Sequence, residues 1–229
     1  MLENNRLKSA LNLKQFNQLN EPLDVGSLSL SIPEDRQYIL RMVIKRPFEE
    51  LAVPEDLLWT KPLVDLAFIN QEKMDIRHPF CYLTIRNGVV TSKTDDVWHV
   101  DGFSLQFSHL PEQNYIWASH TPTEYVTKKI DFPSDFDAFK HNIHHYFDDV
   151  ITEQDEIKTI KPKTVYCMDP YIIHRRPNCE QNVERTFIRV TFSPIEIADK
   201  NNTVNPLMET NYTRDGIGDF RKNLIRYQI

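Results

Sequence analysis

The sequence predicts a mostly β fold with flanking helices, on three observations. Short β-branched and aromatic runs crowd between residues 80 and 192. Apolar residues at helical spacing lie before them and in one insertion, residues 134–150. The two ends, up to residue 30 and from Asn201, are polar. With 229 residues, 40% of them hydrophobic, the chain can bury one domain-sized core. The expected division is an N-terminal helical extension over 1–79, a core over 80–194 and a C-terminal cap over 195–229.

The elements follow in order. Pro33-Glu34-Asp35 is a helix start, with acids in the first turn. Tyr38, Ile39, Leu40 and Met42 continue it at helix-compatible spacing to Lys45. A short helix or turn is expected over 47–58. From Phe80 the period changes to that of a strand, over 80–85, stopped by the turn signal Asn87-Gly88. Further strands are expected over 97–100, 104–110 and 115–119, with Pro111-Glu112-Gln113-Asn114 turning between the last two. A third group covers 164–168, 171–174 and 186–192. The inserted helix over 134–150 carries Phe136, Phe139, Ile143, Tyr146 and Phe147 on helical spacing, capped by Ser134 or Asp135. The tail ends in an apolar, basic run (Phe220, Leu224, Ile225, Tyr227) expected to pack back on the core. Short strands carrying candidate ligands on facing edges fit a double-stranded β-helix, the cupin-like jelly roll.

Charge and cysteine usage narrow the class. A net charge of −6 argues against broad nucleic-acid binding, which needs basic surface. Cys81, Cys167 and Cys179 form no Cys-x-x-Cys, and the first two sit in apolar runs, so buried free thiols are expected. Residues 1–20 lack an apolar stretch of signal-peptide length, and no window reaches a membrane span of about 20 apolar residues. The expectation is a cytoplasmic protein that acts without a membrane.

The residues that point to chemistry are Trp98-His99-Val100-Asp101-Gly102 and, 73 residues beyond Asp101, His174. On a strand, i and i+2 share a face, so His99 and Asp101 reach one ion. His174 ends the apolar run Tyr171-Ile172-Ile173 and adds a second imidazole. Two histidines and a carboxylate are the ligand set of a facial triad, which holds Fe(II) and leaves positions open. Alone, His-x-Asp equally describes a polar strand end, and His174 a hydrogen-bonded core residue. Arg185 and Arg189 follow His174 by eleven and fifteen residues on a period-two strand. They share a face with Phe187 and Thr191, opposite Thr186, Ile188, Val190 and Phe192. Arginines on so apolar a strand read as the lining of a pocket, since a buried guanidinium needs an anion. Of His141, His144 and His145, no set with a further acid or Cys makes a convincing zinc site.

This arrangement resembles the Fe(II)/2-oxoglutarate-dependent dioxygenases over roughly residues 80–194. Trp-His-x-Asp looks like the phytanoyl-CoA hydroxylase branch, and the His-to-Arg offsets look like the taurine dioxygenase branch. The resemblance implies that His99, Asp101 and His174 bind Fe(II) and that Arg185 pairs with the distal carboxylate of the cosubstrate 2-oxoglutarate. It also implies a hydroxyl or amide assisting that carboxylate, for which Tyr115 and Gln106 are the candidates. Arg189, Arg175 and Trp117 are the candidates for substrate contact. Halogenating relatives carry a small residue where this chain has Asp101, so the resemblance implies hydroxylation. The Arg-x-Ser pair of isopenicillin-N-synthase-like relatives has no counterpart at Arg185-Thr186-Phe187.

The expected function is therefore O2-dependent hydroxylation of a small molecule, an amino acid or natural-product intermediate, releasing succinate and CO2. The alternatives are an oxygenase acting on a protein side chain or nucleobase, a non-catalytic jelly-roll binding protein, and a zinc hydrolase using the same three ligands.

Overall fold

A computed structural model describes residues 12–74, 78–90, 97–102, 112–138, 140–177, 182–197, 199–209 and 226–228. Its main feature is a six-stranded antiparallel sheet. The strands are β1 (Leu23–Ser27), β2 (Tyr38–Lys45), β3 (Phe80–Val90), β4 (Gln113–Ala118), β7 (Thr164–Met168) and β9 (Val183–Ser193). They lie in the order β1-β7-β4-β9-β3-β2. A second sheet has the order β6-β5-β8, from β5 (Glu124–Val126), β6 (Ile157–Thr159) and β8 (His174–Arg175). Two α-helices flank them, α1 (Lys61–Glu72) and α2 (Ile143–Val150). The chain is thus β-rich with flanking helices, as the sequence predicts.

The large sheet has two unlike faces. Alternate residues of β9, Ile188, Val190 and Phe192, are fully buried against Leu83 and Ile85 of β3 and Leu63, Val64 and Ala67 of α1. Phe68 of α1 meets Phe192 edge to face at 4.9 Å. Tyr115 and Trp117 of β4 pair in register with Val190 and Ile188, so they enter this same core. The opposite parity, Arg185, Phe187 and Arg189 on β9 with Thr84 and Arg86 on β3, lines a cavity. A separate aromatic cluster joins α2 to the small sheet through Phe16, Phe147, Val126 and Ile173. Tyr227 packs on it against Phe136 and Tyr146, so this residue of the tail does return to the body.

Several expected elements differ. The helix over 33–45 is instead the strand β2. Its pairing with β3 slips between Ile39 and Met42, where Arg41 takes a positive φ of 41°. That bulge breaks the alternation and leaves apolar residues at spacings that imitate a helix. The segment 1–79 is therefore not a purely helical extension; it supplies β1 and β2 to the main sheet. The helix or turn over 47–58 lies later, as a 3-10 turn over Glu55–Thr60 leading into α1. Asn87-Gly88 does not turn, because β3 continues to Val90 with Asn87 and Gly88 in register with Thr186 and Arg185. Gln113 and Asn114 belong to β4 rather than to a turn. The inserted helix is shortened to α2, capped by Asn142, whose side chain accepts from the His144 and His145 amides. Of the expected strand over 171–174, only His174 lies in a strand, at the start of β8. The expected strand over 104–110 lies outside the described residues. Cys81 and Cys167 are buried free thiols, and Cys179 lies outside the described residues. No helix among the described residues is long and apolar enough to cross a membrane.

Candidate metal centre

His99 and His174 are brought together by backbone pairing. His99 N donates to His174 O and His174 N to His99 O, both at 2.9 Å, a two-residue bridge that extends the small sheet. The imidazoles face each other with ring centroids 4.5 Å apart. Each Nδ1 donates to the carbonyl two residues upstream, Val97 for His99 at 2.7 Å and Ile172 for His174 at 2.9 Å. A carbonyl can only accept, so both Nδ1 atoms carry a proton, and Nε2 is the ring nitrogen each histidine has left for a ligand. This is the outer-shell arrangement that metal-binding histidines use.

Asp101 completes the set. One donor atom each from His99, Asp101 and His174 lies within 4.8 Å of the others, and His174 Nε2 is 3.6 Å from Asp101 Oδ2. Gly102 makes this placement possible. It has φ +94°, and a Cβ there would stand 2.8 Å from Glu112 O. Glu112 N donates to Gly102 O at 2.9 Å, which anchors the turn after Asp101.

The electrostatics suit a cation site. Burial, together with the neighbouring His174, lowers the His99 imidazole to about 4, so it is neutral at physiological pH. Burial opposes ionisation of Asp101, but Arg189 and the two histidines outweigh it and hold the carboxyl well below the usual carboxylate range. A neutral His99 imidazole and an ionised Asp101 carboxylate are the protonation states a divalent ion requires of these two residues.

The arginines take distinct places. Arg189 reaches from β9 of the large sheet to Asp101 beside the small sheet, with Nη1 2.5 Å from Oδ2. Its Nε is buried without a hydrogen bond. Arg185 is 8% exposed; its Nε donates to Thr121 O at 3.0 Å, and its guanidinium lies 4.9 Å from the Phe187 ring centroid. Thr121 has a φ of 46°, uncommon for a β-branched residue, and the strained turn aims its carbonyl at Arg185. Arg175 pairs with Glu124 at 2.8 Å and covers the Trp98 ring at 4.2 Å. All three line one cavity of about 770 Å³ together with His99, Asp101 and His174.

Two expected residues are not in this site. Tyr115 and Trp117 point to the opposite face of the large sheet. Tyr115 is fully buried and its hydroxyl donates to Asn70 Oδ1 at 2.9 Å; Trp117 Nε1 donates to Leu28 O at 2.9 Å. Register decides this: Ile116 is opposite Arg189, so it is Ile116 that lines the cavity and its neighbours cannot. Gln106 lies outside the described residues. Thr84, Arg86, Arg176 and His144 also line the cavity. Thr84 and Arg86 sit one strand from Arg189 and Phe187 in register, which needed the pairing of β3 with β9 to be known. His144, on α2, has its ring 6.0 Å from that of His99.

No family model matches the chain, and no curated protein matches it. Two solved structures are similar in outline. EvdMO1 aligns over 83% of this chain and 50% of its own, with 15% identity and a TM-score of 0.39. AviO1 from Streptomyces viridochromogenes Tue57 aligns over 84% of this chain and 85% of its own, with 16% identity and a TM-score of 0.35. The chain thus spans half the length of EvdMO1.

Proposed function

We propose that this protein is a non-haem Fe(II)- and 2-oxoglutarate-dependent dioxygenase on a cupin-like jelly roll, hydroxylating a C–H bond of a small molecule. The observation that carries this reading is the convergence of His99, Asp101 and His174, with the Nδ1 of each histidine engaged by a backbone carbonyl, in one cavity with Arg185. The donor set is that of a facial triad, which leaves coordination positions for a chelating cosubstrate and O2.

His99, Asp101 and His174 would hold the iron. Bound there with 2-oxoglutarate and O2, iron supplies the oxidant for C–H abstraction, with release of succinate and CO2. The chain's own part is placement. Arg185, steadied by Thr121 O and Phe187, would receive the distal carboxylate of 2-oxoglutarate. Arg189 fixes Asp101 through one oxygen, which keeps the carboxylate ionised and oriented. With Asp101 present as a ligand, the product is expected to carry a hydroxyl and no halogen. Buried free thiols at Cys81 and Cys167 suit a reducing cytoplasm.

The test is anaerobic reconstitution with Fe(II), titration with 2-oxoglutarate, then admission of O2 while succinate is followed. Stoichiometric iron binding, 2-oxoglutarate binding and succinate release are expected. A protein that takes zinc and consumes neither 2-oxoglutarate nor O2 would instead be a hydrolase or a binding protein.

A further inference from the structure

We infer that Arg41, through its ion pair with Glu112, is a positioning residue for Asp101, and that the strained bulge in β2 serves to aim it there. The metal function of Asp101 rests on the reading above. The hold of Arg41 on the turn after Asp101 rests on the contacts between them.

Arg41 lies where the register of β2 slips against β3, with a φ of 41°. A residue with a Cβ occupies that region at a cost, and such strain persists only where surrounding contacts over-determine it. The bulge decides where the side chain goes. Ile39, Met42 and Ile44 all pack with the helix-side core. In an unbroken strand Arg41 would share the face of Ile39 and enter that core. The extra residue instead sends it to Glu112, which immediately precedes β4. β3 and β9 lie between these two strands, so the pair spans the sheet. Bulges are a recurrent means of re-aiming one side chain beside a site.

The side chain of Glu112 is 5% exposed and that of Arg41 22%. A carboxylate so buried needs a cation, and removing either partner leaves the other uncompensated. The backbone of Glu112 in turn holds the turn after Asp101. Its N donates to Gly102 O at 2.9 Å, and its O would stand 2.8 Å from a Cβ on Gly102. Arg41 is itself fixed, because its backbone N donates to Thr84 Oγ1 at 3.2 Å. Thr84 is in register with Arg189, whose guanidinium grips Asp101. The contacts therefore close a circuit, from Arg41 through Glu112 to Gly102 and from Asp101 back through Arg189 and Thr84. Asp101 is held both at its carboxylate and at the peptide that follows it.

The experiment titrates the full chain with Co(II), whose visible absorption reports ligand geometry, and measures amide hydrogen exchange without metal. Arg41→Gln and Glu112→Gln should each weaken Co(II) binding about tenfold, the low end for groups behind a ligand, and shift the absorption bands. The double variant should bind no more weakly than the worse single one, because the two residues act as a unit. Arg41→Lys keeps the charge and should lose less than Arg41→Gln. Ile188→Ala, a destabilised core variant, should keep the affinity and bands of the unsubstituted protein. Without metal, the Glu112 amide of Arg41→Gln should exchange about tenfold faster, beyond any change in the core amides of β9. The inference is overturned if both Gln variants lose only melting temperature, or if their losses add in the double variant. It is equally overturned if Lys is as damaging as Gln, or if the Glu112 amide quickens only in step with the core. Failure of the unsubstituted protein to bind Co(II) would sink the metal reading instead, and amide exchange then decides the inference alone.

Discussion

The two faces of β9 divide the labour of this protein. Ile188, Val190 and Phe192 are buried in the core beneath α1, whereas Arg185, Phe187 and Arg189 face the cavity. One face is apolar and closed, and its contribution is burial. The other places cations at i and i+4, one bound to Asp101 and one to a backbone carbonyl. Because strand parity separates them by a single residue, the core and the cavity lining occupy one strand without sharing a side chain. Substitutions on the two faces should therefore fail in different assays.

The largest effects fall on the ligand set. His174→Ala should lower metal affinity by at least about 100-fold, since ligand loss exceeds the outer-shell effects known for such sites. Its melting temperature in the absence of metal should move little. Ile188→Ala should show the reverse pattern, costing about 2–5 kcal/mol of stability, with metal binding by the folded fraction preserved. Equilibrium unfolding and metal titration on both variants check this. If Ile188→Ala were as damaging to metal affinity as His174→Ala, the faces would not be independent.

Gly102→Ala comes next. Its φ of +94° and the 2.8 Å approach to Glu112 O leave no room for a Cβ. The strain should cost about 1–3 kcal/mol. Because the displaced residue adjoins Asp101, metal affinity should fall as well, by about tenfold. Unchanged metal binding in this variant would mean that the turn does not position the carboxylate.

Arg185→Gln should be milder and more selective. It removes charge-assisted hydrogen bonds of about 1.5–3 kcal/mol, so 2-oxoglutarate binding should weaken by about 10–150-fold with iron affinity retained. Unaltered 2-oxoglutarate affinity would remove Arg185 from the cosubstrate site.

How much of this was legible depends on whether local pattern and pairing agree. β7 and β9 could be read directly, because their residues are β-branched, aromatic or alternating and nothing interrupts them. His99, Asp101 and His174 were legible because i, i+2 on an extended segment places two donors on one side and an imidazole ended the next apolar run. β2 was not, because the bulge at Arg41 gives a strand the spacing of a helix. Asn87-Gly88 was misread because register with β9 overrides a local turn preference. The faces of β4 were beyond reach for a related reason. Tyr115 and Trp117 follow a correct alternation, but which side of the sheet that alternation meets is set by the pairing of Ile116 with Arg189.

That correction supplies the smallest effect and the most discriminating one. Tyr115 is fully buried in the helix-side core, and its hydroxyl donates to Asn70 on α1 at 2.9 Å. Tyr115→Phe deletes that hydroxyl and keeps the ring against Phe192, whose centroid is 5.6 Å away. The lost hydrogen bond should cost about 0.5–1.5 kcal/mol, with some further penalty for the Asn70 acceptor left behind. Iron binding, 2-oxoglutarate binding and turnover should be unchanged, because the hydroxyl lies across the sheet from the cavity. Were Tyr115 instead the hydroxyl that assists the distal carboxylate, the same substitution would weaken 2-oxoglutarate binding and leave stability nearly intact. Denaturant melts and 2-oxoglutarate titrations on this one variant therefore decide which face of β4 serves the site.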